Sequence, residues 1–193
     1  MKNKPELIVL DTCVYVDALF IGHAQHADAS ADRAQRSLRV LESLDKGEYI
    51  AGLLPLVLIE LNSSRQLGQN STSKQRKARK VALDQYFNGF GHITLEHDER
   101  VALLGAKIAR EMQMKGPDAM LVASAVVHDA AILYSWDDKV LSLNANPLVR
   151  SLYIQKPPER VAPAQATIYE LLDAKYQDTA NRILKHTRGS EGS

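Results

Sequence analysis

The residues of this chain best suited to chemistry are carboxylates that interrupt or end apolar segments. Four of them stand out: Asp11, Glu60, Asp118 and Asp137. Glu60 lies inside an apolar run that extends from residue 53 to residue 61, where an acid costs free energy unless it is paired or binds a metal ion. Several acids held together repel one another, and burial raises their pKa values further. A hard divalent cation relieves both problems, and oxygen ligands favour Mg²⁺ or Mn²⁺ over zinc.

Alternating strand and helix signals predict the fold that would position these acids. Short apolar segments typical of buried parallel strands occur at 7–10, 49–54 and 130–134. Segments that favour helices occur at 38–44, 55–67, 101–112 and 118–126. This alternation predicts an α/β protein with a mainly parallel central sheet. Residues 90–95 fit either a short strand or a connection.

Each acid falls where such a sheet would place a ligand-binding group. Asp11 and Asp137 follow predicted strands, and Glu60 and Asp118 lie on helices expected to begin at the same edge. Ligands of open parallel sheets bind at the carboxyl ends of the strands, so the four acids are expected to converge there. Taken singly, three of the four have an ordinary alternative: Asp11 and Asp137 are also typical of caps and turns, and Asp118 of a first helical turn. Taken jointly, they favour a metal site.

Composition excludes several classes of protein. The 193 residues carry 24 Lys+Arg and 23 Asp+Glu, and this net charge of +1 excludes a polycation that coats nucleic acid by charge alone. The hydrophobic content of 45% is typical of a globular chain, and the single cysteine, Cys13, excludes an intramolecular disulfide. The four apolar residues before Asp11 are too few for a signal-peptide core, and the longest apolar run, 53–59, is too short to span a bilayer. A soluble, cytoplasmic protein with no membrane partner is expected.

Four segments, in order along the chain, resemble the PIN-domain nucleases, the family that includes the toxin half of VapBC toxin–antitoxin pairs. Their sequences are Leu-Ile-Val-Leu-Asp-Thr at 7–12, Leu-Val-Leu-Ile-Glu-Leu at 56–61, Pro-Asp-Ala-Met-Leu-Val-Ala-Ser-Ala at 117–125 and Leu-Tyr-Ser-Trp-Asp at 133–137. The resemblance implies a three-layer α/β/α nuclease domain over residues 1–155. Residues 156–193 would form a C-terminal extension with one helix and a frayed tail.

The resemblance also implies a reaction. RNA phosphodiester bonds would be hydrolysed with Mg²⁺ or Mn²⁺ held by Asp11, Glu60, Asp118 and Asp137, leaving a 5′-phosphate and a 3′-hydroxyl. Asp138 competes with Asp137 for the fourth ligand position, and Asp118 is the candidate acceptor of the water proton. The partners implied are RNA, an antitoxin protein and a second copy of the chain. The alternative from another class is a catalytically weak PIN-like module that binds RNA or serves assembly.

Cations must surround an acidic centre that acts on a phosphate backbone. No acid lies between Glu60 and Asp84, and the basic stretch 74–80 is expected to open a helix. Candidate substrate-binding residues are Thr12, Arg65, Lys74, Arg76, Lys77, Ser135 and Lys139. For the basic residues, the alternative is a solvated helix face. Trp136 is expected either to stack on a base or, more commonly for an aromatic residue, to pack in a core or interface.

Overall fold

A single parallel sheet forms the centre of the structure, a computed structural model that describes residues 6–19, 29–63, 72–89 and 91–159. Within these residues its strands are β1 (Glu6–Leu10), β2 (Tyr49–Leu53), β3 (His92–Thr94), β4 (Ile132–Tyr134) and β5 (Tyr153–Gln155). Their spatial order is β3-β2-β1-β4-β5, and every neighbouring pair is parallel. The predicted α/β class with a parallel sheet is confirmed.

Helices flank this sheet in a three-layer α/β/α arrangement. In the described residues they are α1 (Thr12–Leu19), α2 (Ala29–Asp45), α3 (Pro55–Ser63), α4 (Ser73–Gly89), α5 (Glu99–Met112), α6 (Gly116–Val127) and α7 (Asp138–Leu141). Two short 3₁₀ turns, Ser142–Ala145 and Pro147–Val149, lead from α7 towards β5. Parallel strands need such crossovers, because the chain must return to the same end of the sheet before each new strand.

The centre of the sheet is apolar on both faces. Ile8 and Val9 on β1 and Leu133 on β4 have no exposed surface. Side chains of successive strand residues point to opposite faces, so a strand covered on both sides must be a continuous apolar run. Each such side chain contributes about 1.5–3 kcal/mol on burial. This burial fixes β1 and β4 side by side, and with them the residues that follow at their carboxyl ends.

Two glycines shape the helices around the site. Gly47 ends α2 with a φ of +69°, a left-handed conformation that glycine adopts without strain. Gly105 on α5 faces α6, where a Cβ would stand 3.3 Å from Met120 Sδ. The small residue therefore lets α5 and α6 approach closely, and this packing holds the first turn of α6 with Asp118.

Some elements differ from the sequence-based expectations. The segment 90–95, for which the sequence allowed either a short strand or a connection, contains a strand, β3, whose Ile93 pairs in register with Gly52. The helix α1 and the strand β5 were not predicted. Both elements are short, so neither has a strong periodic pattern in the sequence. The helix α1 has eight residues, and β5 has three and lies at the edge of the sheet.

Several expectations fall outside the described residues. These are the stretch 64–67 at the end of the predicted helix 55–67, the side chains of Arg65 and Lys74, and the C-terminal extension beyond residue 159. Of that extension the structure describes only 156–159, so the predicted domain division stays a prediction. No helix in the described part of the chain is long and apolar enough to cross a bilayer.

Candidate active site

The first and fourth predicted acids are joined by one buried hydroxyl group. The backbone N–H of Asp11 donates to the carbonyl of Tyr134 at 3.0 Å, which ties the end of β1 to the end of β4. Ser135, which has no exposed surface, donates its Oγ–H to Asp11 Oδ2 at 2.5 Å and accepts the backbone N–H of Asp137 at 2.9 Å. Ser135 therefore fixes the Asp11 carboxylate and the backbone of Asp137 relative to each other.

A second hydroxyl group holds Glu60. Thr12, the first residue of α1, donates its Oγ1–H to Oε2 of Glu60 on α3. Glu60 is half-buried, so the hydrogen bond offsets part of the cost of placing its charge in an apolar helix. Because Thr12 adjoins Asp11 in the chain, the contact brings the second predicted acid towards the first.

The third predicted acid, Asp118, is influenced by the charges of the other three. Asp118 lies in the first turn of α6 and is half-buried. Burial raises the pKa of its carboxyl above the ordinary value, and the negative charges of Asp11, Asp137 and Glu60 raise this pKa further. The nearby Lys115 opposes the shift. The carboxyl group of Asp118 therefore lies within electrostatic range of acids from three other parts of the chain.

The adjacent acids Asp137 and Asp138 make different contacts. Asp137 caps α7 by accepting the backbone N–H of Lys139 on Oδ1 at 2.7 Å, and its charge acts on Asp118. Asp138 is 91% exposed, and its Oδ1 lies 3.7 Å from Nζ of Lys156 after β5. This geometry favours Asp137 as the fourth acid.

The donor set fits Mg²⁺ or Mn²⁺ in its chemistry, since carboxylate oxygens are the ligands that these ions prefer. The side chains nevertheless do not form a closed ligand shell. Across residues 6–19, 29–63, 72–89 and 91–159, no three or more His, Cys, Asp or Glu side chains are arranged so as to hold a metal ion. The charges of the other three acids reach Asp118, and coordination would require the four carboxylates to turn towards a common point.

The remaining predicted residues occupy different surroundings. Thr12 and Ser135 donate to the acids themselves. Arg76 and Lys77 are exposed on α4, and Lys139 is exposed on α7 beside the fourth acid. Lys115 was missed by the sequence analysis, although its position just before the Gly-Pro break and Asp118 could have indicated a cation near the site.

Trp136 packs against the protein. Its indole N–H donates to Oγ of the fully buried Ser37 at 2.9 Å. The guanidinium carbons of Arg33 and Arg36 each lie 4.9 Å from the centroid of its rings. Of the two roles expected for Trp136, these contacts favour packing over base stacking. The two arginines were not among the predicted site residues, although their spacing of three residues places them on one face of α2.

Cys13 also belongs to the surroundings of the site. Its Sγ accepts the backbone N–H of Trp136 at 3.3 Å and lies 3.9 Å from Ser135 Oγ. Burial raises the pKa of the thiol far above its usual range, and the charge of Asp11 raises it further. The thiol is therefore protonated at neutral pH and acts as a packed, weakly polar group.

A parallel α/β sheet with acids gathered at its carboxyl edge defines a class of proteins in which that edge is the place for ligand and metal binding. The family is given by comparison with known proteins. The PIN-domain family model matches residues 8–145, so the chain belongs to the PIN-domain family. This family consists of nucleases, which supports a hydrolase. No curated protein sequence matches the chain.

Solved structures share the fold. FitAcB from Neisseria gonorrhoeae superposes with a TM-score of 0.52 at 20% identity, covering 78% of this chain and 97% of that chain. VapBC2 from Rickettsia felis, solved bound to a DNA fragment from its promoter, gives a TM-score of 0.50 at 15% identity and covers 78% of this chain and 98% of that chain. Identities this low establish similarity of fold alone.

Proposed function

We propose that the chain is an Mg²⁺- or Mn²⁺-dependent endoribonuclease whose ion is held by Asp11, Glu60, Asp118 and Asp137. The observation that carries the proposal is a pair of hydroxyl groups that hold three of the acids near one another. Ser135 bonds Asp11 and the backbone N–H of Asp137, and Thr12 bonds Glu60. Burial and the charges of the other three acids also raise the pKa of Asp118. Acids that repel one another in this way are stabilised when a cation neutralises their charges. When bound, the cation would lower the pKa of a water molecule and neutralise charge on the phosphate.

Residues of the chain itself position the carboxylates and accept the proton of the attacking water in the proposed reaction. Ser135 and Thr12 donate hydrogen bonds to the carboxylates of Asp11 and Glu60, and these bonds restrict the directions in which the two groups can turn towards a bound ion. Asp118 would accept the proton of the attacking water, a role supported by its half-buried position in the first turn of α6 beside the other acids.

Cations on several elements would hold the RNA backbone against this acidic centre. Lys139 and Lys115 adjoin the proposed ligands Asp137 and Asp118, and both are exposed. The helix α4 adds Arg76 and Lys77, and the sequence adds Arg65 and Lys74. Phosphate contacts of this kind position a strand without reading its sequence.

Cleavage of end-labelled RNA tests the proposal. The purified chain should cut RNA with added Mn²⁺ or Mg²⁺, stop in EDTA, and leave 5′-phosphate ends. Asp11→Asn and Asp118→Asn should each abolish cleavage while the far-ultraviolet circular dichroism stays unchanged. The adjacent acids give a matched pair, in which Asp137→Asn should inactivate the enzyme and Asp138→Asn should leave it active.

The same cleavage assay distinguishes an active nuclease from the alternative, a binding module without turnover. Metal and RNA binding without turnover would replace the enzyme by a catalytically weak PIN-like RNA-binding or assembly protein. Undiminished cleavage by both Asp11→Asn and Asp118→Asn would remove the proposed site. Single-stranded DNA of the same sequence serves as the second substrate, because preferential cleavage of DNA would contradict the assignment of RNA.

An antitoxin partner and a homodimer are part of the proposal for the biological role. Support comes from the fold shared with VapBC2 and from the PIN family, which includes VapBC toxins. A short adjacent reading frame for a DNA-binding protein, co-purifying with this chain, would support a toxin. A stand-alone nuclease would lack that partner, and light scattering on the pure chain would report the dimer.

A further inference from the structure

The segment that follows β5 contacts two sides of the proposed site. We name this segment, residues 156–159, the strap. The carbonyl of Pro157, a buried residue, accepts two hydrogen bonds from Arg36 on α2, from Nε at 2.8 Å and from Nη2 at 2.6 Å. On its other side the strap places Lys156 Nζ 3.7 Å from Asp138 at the start of α7. It therefore bridges α2 and the residues next to the fourth acid.

Arg36 links the strap to Trp136. Its side chain is only 13% exposed, and its guanidinium carbon lies 4.9 Å from the centroid of the Trp136 rings. The contact is a cation–π interaction, and a planar guanidinium can keep it while both hydrogen bonds point at Pro157. The indole is also fixed by its hydrogen bond to the buried Ser37. Trp136 thus has one orientation set by α2 and the strap together.

Trp136 lies in the chain between Ser135, whose hydroxyl group joins two of the acids, and Asp137, the proposed fourth acid. Ser135 precedes it and holds Asp11, and Asp137 follows it. Its own backbone N–H donates to Cys13 Sγ at 3.3 Å, so the backbone at residue 136 is tied to the start of α1 as well. The contacts of the indole add to those that fix the backbone of the 135–137 loop, which carries Asp137 and the hydroxyl group that holds Asp11.

We infer that Arg36 is a positioning residue of the metal site, which couples the strap through Trp136 to Asp11 and Asp137. The inference rests on the proposed function, because positioning matters only if these acids bind the ion. On this inference the beginning of the C-terminal extension supports the fourth acid, since the strap holds Arg36 against Trp136. A purely structural role for Arg36 would change stability alone and leave the metal affinity of the folded protein unchanged.

Fluorescence of the full chain tests this inference without any activity measurement. Trp136 is the only tryptophan of the chain, so its emission and its quenching by acrylamide report this contact directly. In the metal-free protein, Arg36→Met should raise the acrylamide quenching constant about twofold, since only one of the two guanidinium groups over the ring, that of Arg33, remains. In Mn²⁺ titrations, the same variant should raise the dissociation constant about tenfold, as for other groups that support a ligand.

Arg110→Met is the matched control. Arg110 is exposed in the last turn of α5, and the change removes the same charge without touching α2 or the strap. It should leave the fluorescence and Mn²⁺ affinity within about twofold of the wild-type values. Arg36→Lys, which keeps a cation but loses the two-pronged contact with Pro157, serves if Arg36→Met fails to fold, and a smaller loss of affinity in the same direction is expected.

The outcomes distinguish the inference from the proposed function. If the wild-type chain binds Mn²⁺ and both Arg36 variants bind it equally well, the positioning role is overturned and the proposed site stands. If Arg110→Met weakens binding as much as Arg36→Met, the effect comes from the loss of a positive charge anywhere on the chain, and the inference is again overturned. If the wild-type chain binds no Mn²⁺, the proposed function fails, and the positioning role fails with it.

Discussion

Replacing Ser135 by alanine removes the hydroxyl group that joins the first and fourth acids. The change is nearly neutral in volume, so it isolates two hydrogen bonds, the one donated to Asp11 at 2.5 Å and the one accepted from the backbone N–H of Asp137 at 2.9 Å. A bond to a charged group contributes about 1.5–3 kcal/mol and a neutral one about 0.5–1.5 kcal/mol. Since Asp11 is only half-buried and water can replace part of the loss, we expect a destabilisation of about 2 kcal/mol.

Urea unfolding measures this loss, and a Mn²⁺ titration measures its consequence for the site. The dissociation constant for Mn²⁺ should rise about tenfold, because Asp11 is no longer oriented. Ser135→Thr, which keeps the hydroxyl, should retain most of the affinity.

Ser142→Ala is the matched control. Ser142 is exposed and donates only to the carbonyl of Lys139, so its removal should cost no more than about 0.5 kcal/mol. Equal destabilisation of the Ser135→Ala and Ser142→Ala variants, with unchanged Mn²⁺ binding in both, would refute the role given to the Ser135 hydroxyl.

Three further outcomes follow from the same geometry. Thr12→Val, which loses the bond to Glu60, should weaken Mn²⁺ binding about tenfold in titrations, whereas Thr12→Ser should not. Gly47→Ala should cost about 1 kcal/mol in urea unfolding because of the positive φ at the end of α2, and a cost near zero would contradict that conformation. The raised pKa of Cys13 leaves little thiolate at pH 8, so iodoacetamide should label the folded chain far more slowly than the urea-unfolded chain; equal rates would show an exposed, ordinary thiol.

The centre of the fold was predictable because its sequence signals are local. Residues 7–10 and 130–134 have the apolar pattern of buried strands, and the structure places β1 and β4 side by side in the sheet. Short edge elements lack such a signal. The strand β5 has only three residues, of which Ile154 alone is buried, and its hydrogen bonds with β4 decide its conformation.

The proposed acids were predictable for a related reason, since an acid in an apolar segment stands out in any sequence. Glu60 inside its apolar helix is the clearest case. Their supporting contacts were not predictable, because they join residues far apart in the chain. Ser135 is 124 positions from Asp11, and Arg36 is 121 positions from Pro157. No local pattern reports such pairs, and only the packing of α2 and the sheet brings them together.

Diffraction from crystals grown with Mn²⁺, recorded for its anomalous signal, tests the central claim most directly. The account predicts one strong peak per chain, with oxygens of Asp11, Glu60, Asp118 and Asp137 turned towards it and Asp138 still directed at Lys156. A chain that shows no peak among these acids, or that holds Mn²⁺ only at unrelated surface carboxylates, would contradict it.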